Sequence, residues 1–163
     1  MATEMGEYIV GAYLKLEEGC DFVDYNVRAP GGGVKGLGEL DVVGLNFQTK
    51  TAFLCEVTTH IRGILYGSNN ETLRRVAAKY QRQQAYAQEF LAAFSDRRFM
   101  LWAPVVPRGI LTEGLREIAG LEIVINGEYK ARVGRLRQRA GQEAQDTGNP
   151  FFRALQIIEH MRD

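Results

Sequence analysis

The chain has 163 residues, of which 20 are acidic and 20 are basic, so its formal net charge is zero. This length fits a single domain, and 45% hydrophobic with 25% charged residues is typical of a globular protein, which excludes the disordered and fibrous classes. The neutral total argues against a protein that coats nucleic acid by bulk electrostatics, and the chain shows neither a membrane-spanning stretch nor a signal peptide, so we expect a cytoplasmic protein.

The first part of the chain predicts one helix followed by three strands. Residues 4–18 place apolar side chains on one side of a helix, and Gly19 ends it. Three strands follow, at 22–29, 39–45 and 51–60. The glycine-rich run 30–38 predicts a flexible connection between the first two, and a loop of hairpin length joins the last two. We therefore expect these strands to pair antiparallel.

The rest of the chain alternates helices with strands. After a loop at 62–70, the longest amphipathic helix is predicted at 71–94. The further elements are a strand at 97–104, a helix at 110–119, a strand at 121–125, a helix at 128–145 and a last helix that starts at Asn149 and Pro150. This alternation predicts parallel pairing. The expected fold class is α/β, a central mixed sheet flanked by helices in the order αβββαβαβαα, within one domain.

Two of the predicted strands carry acidic side chains among apolar ones. Asp41 precedes Val42 and Val43, and Glu56 lies in the middle of the next apolar strand. Burial of an ionised carboxylate is costly unless a cation compensates it. Successive side chains of a strand point to opposite faces, so a suitable register brings these two acids together. Two carboxylates, with water and phosphate oxygens, are typical ligands of Mg²⁺, and the pattern therefore predicts a metal site.

The motifs Gly38-Glu-Leu-Asp41 and Phe53-Leu-Cys-Glu-Val-Thr58, which follow a helix that bears Glu7, resemble the PD-(D/E)XK nuclease superfamily of restriction-endonuclease-like fold. The resemblance covers residues 4–125 as an order of elements, with residues 127–162 as a helical extension. It implies Asp41 and Glu56 as metal ligands, with the helix residue Glu7 joining the cluster. It also implies Mg²⁺ as cofactor, with Mn²⁺ as a substitute, and DNA as substrate.

Thr58 departs from this family pattern, because the family has a lysine two residues after the second acid. The lysine provides positive charge near the attacking water. The hydroxyl of Thr58 has no charge, and its only role would be to orient that water. In the superfamily this lysine also occurs on the helix after the third strand, and Lys79 lies on that helix. Gln83 and Tyr86 resemble the Gln and Tyr of RecB-type members, and His60 is another candidate for the missing charge.

Several of these residues have a purely structural alternative. Asp41 is also explained as an acid that backbone amides satisfy, Glu7 as a first-turn acid that favours the helix dipole, and Lys79 as a solvated helix residue. Glu39 is predicted at the rim of the site. A basic run without an intervening acid is either a solvated helix face or a phosphate-contacting surface; it comprises Lys130, Arg132, Arg135, Arg137 and Arg139.

The sequence therefore predicts a metal-dependent endonuclease that hydrolyses phosphodiester bonds in duplex or branched DNA, with a homodimer expected if both strands are cut. One alternative is a catalytically inactive module of the same fold that binds nucleic acid or a protein partner. Another is a small interaction protein whose strand acids pair with Arg28 or Arg62. The two cysteines, Cys20 and Cys55, have neither the number nor the spacing of a zinc site or a disulfide framework, and we expect both to be reduced.

Overall fold

The apolar strands predicted from the sequence form the middle of a five-stranded sheet. The structure is a computed structural model, and it describes residues 2–29, 39–63 and 66–161. The elements are, in chain order, α1 (Met5–Leu16), β1 (Phe22–Val27), β2 (Leu40–Asn46), β3 (Thr51–Val57), α2 (Asn69–Phe90), β4 (Asp96–Ala103), α3 (Ile110–Arg116), β5 (Leu121–Ile125), α4 (Asn126–Gln142) and α5 (Pro150–His160). The predicted fold class and element order are confirmed. The predicted glycine-rich connection at 30–38 lies outside the described residues.

The sheet is mixed and its strands follow chain order, β1-β2-β3-β4-β5. β1, β2 and β3 pair antiparallel, whereas β3, β4 and β5 pair parallel. Both predictions of pairing are confirmed. Because β3, β4 and β5 are parallel, their carboxyl ends lie at one edge of the sheet, where helix connections leave each strand.

Helices cover both faces of the sheet, and side-chain alternation decides which strand residues each layer meets. Val42 and Cys55 pack with α1, α4 and α5 around the buried ring of Trp102. Val43 and Leu54, one position along each strand, pack on the opposite face against α2. Burial of these apolar side chains on both faces is what holds the inner strands in register.

Local sequence sets the ends of the helices near the sheet edge. Ser68 accepts a hydrogen bond from the N–H of Glu71 at 3.1 Å, so α2 starts two residues earlier than predicted. Asn149 caps α5 by accepting from the N–H of Phe152 at 3.0 Å, with Pro150 in the first turn, as predicted.

Cys20 and Cys55 are free and buried. None of the helices in the described ranges is long and apolar enough to cross a membrane.

Candidate active site

Strands β2 and β3 separate at the point where the two strand acids lie. Their pairing runs from Asn46 opposite Thr51 to Val42 opposite Cys55. β3 stays paired with β4 beyond this point, and the N–H of Thr58 donates to the carbonyl of Trp102 at 2.9 Å. The next residues in the β2–β3 register are Asp41 and Glu56. The fold therefore opens a fork between β2 and β3 and places one carboxylate on each arm.

Asp41 holds the two arms of this fork together. Its Oδ2 atom accepts a hydrogen bond from the backbone N–H of Val57 at 2.8 Å. This contact agrees with the structural alternative for Asp41, an acid that backbone amides satisfy. The carboxyl groups of Asp41 and Glu56 are also close enough for each to affect the pKa of the other. Burial raises the pKa of Asp41, while the Val57 N–H and the charge of Lys79 oppose that rise. Asp41 thus has both a structural contact and a second acid beside it.

Glu56 is the more deeply buried acid, with 8% of its surface exposed. Burial and then the negative charge of Asp41 raise the pKa of Glu56 to about 7, against the opposing attraction of Lys79. Near neutral pH, the two acids therefore share a proton for part of the time. A single lysine does not compensate the charge of two carboxylates, one half-buried and one buried, so the pair is incompletely neutralised.

Lys79 brings the cation that Thr58 does not provide. Its ammonium donates a hydrogen bond to Glu56 Oε1 and a second to the hydroxyl of Tyr66 at 3.2 Å. Burial lowers the pKa of Lys79, but the charge and hydrogen bond of Glu56 outweigh this and raise it to about 12. Lys79 is therefore positively charged at the fork.

Arg28 contacts Glu39 at 3.6 Å, so that rim acid has a partner of its own.

Tyr66 belongs to the site although sequence reasoning missed it. It lies in the segment predicted as a loop, two residues before the cap of α2. The only sequence signal was a single aromatic residue in a stretch rich in glycine and asparagine. Its ring contacts His60 at a centroid distance of 6.1 Å, which places the predicted His60 at the same margin of the site.

Glu7 approaches the fork from α1 but is held by its own partners. Its Oε2 atom accepts from the N–H of Glu4 at 2.9 Å and from Nδ2 of Asn26 at 3.4 Å. Burial raises the pKa of Glu7, and the charge of Asp41 adds to this rise. Within residues 2–29, 39–63 and 66–161, no three His, Cys, Asp or Glu side chains form a group able to hold a metal. The structure thus brings together two of the three predicted metal ligands.

Thr58 and Gln83 place polar atoms in the interior beside this cluster. They are 8% and 2% exposed, and Gln83 lies one helical turn beyond Lys79 on α2. Within the part of the chain that the structure describes, Thr58 Oγ1 and both amide atoms of Gln83 have no hydrogen-bond partner. Such orphaned groups cost about 1–3 kcal/mol each when they stay unsatisfied. Tyr86, three residues further on, packs half-buried against Phe90.

Most side chains of the basic run on α4 form contacts with other parts of the same protein. Its arginines donate hydrogen bonds to acids and other oxygen acceptors of distant segments. Arg132 donates to Glu122 at 2.9 Å, and Arg137 donates to Glu159 at 2.5 Å. Arg135 donates to the Tyr13 hydroxyl at 3.1 Å, and Arg139 donates to the Leu16 carbonyl at 2.8 Å. Lys130 is exposed. These contacts attach α4 to α1, β5 and α5, and phosphate binding there would require the arginines to exchange partners.

Comparison with protein-family models and with curated proteins gave no match to this chain. The function proposed below therefore depends on the fork itself: Asp41 and Glu56 on its two arms, Lys79 from α2, and the buried polar atoms around them.

Proposed function

We propose that this chain is a Mg²⁺-dependent nuclease that hydrolyses phosphodiester bonds, most readily in DNA, in the cytoplasm. The observation that carries the proposal is the pair of carboxyl groups, half-buried Asp41 and buried Glu56, at the point where β2 and β3 separate, with the ammonium of Lys79 beside them. These are the two acids of the PD-(D/E)XK pattern, and Lys79 lies on the helix to which that family moves its lysine. The αβββαβ order of the elements supports the same reading.

The donor set fits a divalent cation that prefers oxygen. Asp41 and Glu56 would hold it, because one lysine leaves this pair incompletely neutralised and a metal ion can replace the proton that the acids share. Mg²⁺ keeps several water ligands and needs few protein carboxylates, so two acids are sufficient, and Mn²⁺ would substitute. Bound there, the metal would activate a water molecule and polarise the phosphate.

The protein's own groups would act around this centre. The Lys79 ammonium would stabilise negative charge that develops on the phosphate oxygens, which is the usual role of a preorganised cation in a site of low dielectric. The Thr58 hydroxyl, buried and without a partner among the described residues, would orient the attacking water. Gln83 would offer its amide group to the same space. Glu7 would contribute negative charge from α1 without binding the metal directly.

Cleavage assays with matched variants test this function. Purified protein with Mg²⁺ or Mn²⁺ should nick supercoiled plasmid or cut branched DNA, and an RNA duplex of the same sequence tests the preference for DNA. Asp41→Ala and Glu56→Ala should each abolish cleavage, while Glu89→Ala, an exposed acid of α2, should leave it intact. Full cleavage by both site variants would exclude the proposed site.

The same fold without catalysis is the second candidate function, a module that binds nucleic acid or a protein partner. Thr58 favours it, because the lysine of the motif is absent there and the Lys79 ammonium is already engaged with Glu56. Calorimetric titration with Mg²⁺ separates the two candidates. Metal binding that Glu56→Ala abolishes, together with cleavage, supports the nuclease. Absence of both metal binding and cleavage supports the inactive module.

A further inference from the structure

Tyr66 makes the second hydrogen bond of the Lys79 ammonium, at 3.2 Å from its hydroxyl oxygen. We propose that Tyr66 is a positioning residue of the site: its hydroxyl holds the Lys79 ammonium beside Glu56 and fixes the direction in which the remaining N–H of that ammonium points. The lysine side chain alone does not fix this direction, because an ammonium on a four-carbon stem rotates freely and carries three equivalent donors.

The backbone of Tyr66 is fastened to the helix that carries Lys79. The Tyr66 N–H donates to Thr72 Oγ1 at 3.2 Å, and the Thr72 hydroxyl lies 3.3 Å from the Tyr66 carbonyl oxygen. Thr72 is in the first turn of α2 and is 1% exposed. Tyr66 and Lys79 therefore belong to one local unit, and the distance between the phenol and the ammonium is set within that unit.

The ring of Tyr66 is also fixed from its sides. The guanidinium of Arg75 lies 5.0 Å from the ring centroid. Arg75 is itself bound to Glu71 at 2.8 Å, and His60 contacts the ring edge. With these neighbours the phenol cannot rotate without losing several contacts. The hydroxyl is consequently a fixed acceptor rather than a mobile surface group.

Two acceptors account for two of the three N–H donors of the ammonium. Among the described residues, Glu56 takes one and Tyr66 takes another, and the third has no acceptor there and is available for an oxygen of a phosphate. Without the phenolic oxygen, the ammonium keeps its bond to Glu56 but samples many rotations about its stem. Tyr66 thus acts through Lys79, whereas Lys79 itself would contact the substrate. The kinetic consequence rests on the proposed nuclease function, but the placement of the ammonium does not.

An NMR measurement tests the placement without reference to activity. Lysine ¹⁵Nζ–¹H signals are visible when hydrogen bonds slow the exchange of ammonium protons with water, and Lys79→Met assigns the signal. We expect Tyr66→Phe, which keeps the ring, to broaden the Lys79 signal or to accelerate its exchange at least several-fold. Tyr80→Phe is the matched control, because it removes the hydroxyl of a tyrosine on α2, the helix of Lys79, where that tyrosine packs against Phe99. An unchanged signal in Tyr66→Phe would overturn the proposal.

Kinetics provide the second test in the same variants. We expect Tyr66→Phe to lower kcat about tenfold with little change in KM, because one hydrogen bond to a charged group is lost while binding contacts stay. A residue that only packs would leave kcat unchanged in this variant, and that result would count against a positioning role. If the wild-type protein cleaves no substrate, the nuclease proposal fails, whereas the ammonium signal still decides the role of Tyr66.

Discussion

Replacement of Glu56 by glutamine should remove a pH dependence from the stability of the protein. Burial and the charge of Asp41 raise the pKa of Glu56 in the folded state from 4.5 to about 7. Between these two values, the folded protein holds a proton that the unfolded chain has released. The stabilisation is therefore complete below pH 4.5 and is lost as the pH rises through 7. At about 1.4 kcal/mol per pH unit, the loss is about 3 kcal/mol.

Urea unfolding of wild type and Glu56→Gln at several pH values from 4.5 to 8 measures this loss. The free energy of unfolding of the wild type should fall by about 3 kcal/mol more than that of the variant over this range. The comparison cancels the titration of groups that do not interact with Glu56. Glu89→Gln, an exposed change on α2, should follow the wild type. Parallel curves for wild type and Glu56→Gln would refute the argument that burial holds a proton on Glu56.

Three further outcomes follow from the same cluster. Lys79→Met should lower kcat about 100-fold in the plasmid assay, because a cation preorganised at the phosphate is lost, and Lys79→Arg should retain more activity. Thr58→Lys should not raise kcat, since Lys79 already supplies the charge, and its thermal melt should show a lower Tm because a second ammonium enters a buried position. Mg²⁺ at a fixed concentration of about ten times its Kd at pH 8 should stabilise the wild type by about 1.4 kcal/mol at pH 8 in thermal unfolding, should stabilise it less at pH 6, where Glu56 holds a proton more of the time, and should not stabilise Asp41→Ala.

The order and pairing of the elements were predictable because they depend on local patterns. Apolar periodicity and turn residues indicated all ten elements, and short links or intervening helices indicated the direction of pairing. The ends were less predictable. β3 ends at Val57 instead of His60, and its pairing with β4 ends at the same residue, opposite Trp102. α2 starts earlier because the side chain of Ser68 caps it, although its composition is typical of a loop.

The acids of the site were predictable from their unusual position in apolar strands, and Lys79 from the family resemblance. What sequence could not show are contacts between distant segments. The ion pair of Lys79 with Glu56 joins positions 23 residues apart, and the Tyr66 hydroxyl has no local pattern that predicts its role. On α4, the five cations have no acid among them in sequence. Arg132 and Arg137 pair with Glu122 of β5 and Glu159 of α5, and Arg139 pairs with Glu17 and Glu143, so the helix is less available to phosphate than its composition indicates.

The hydrogen bond from the Val57 N–H to Asp41 makes one backbone amide a reporter on the whole fork. The Val57 N–H donates to Asp41 Oδ2 at 2.8 Å. A cation that moves the Asp41 carboxylate toward Glu56, or a proton that binds to this carboxylate, would change the strength and geometry of that hydrogen bond. The chemical shift and exchange rate of a single peptide proton would therefore register metal loading, protonation and separation of the two strands. The fork therefore has an observable probe in its main chain as well as in the ammonium of Lys79.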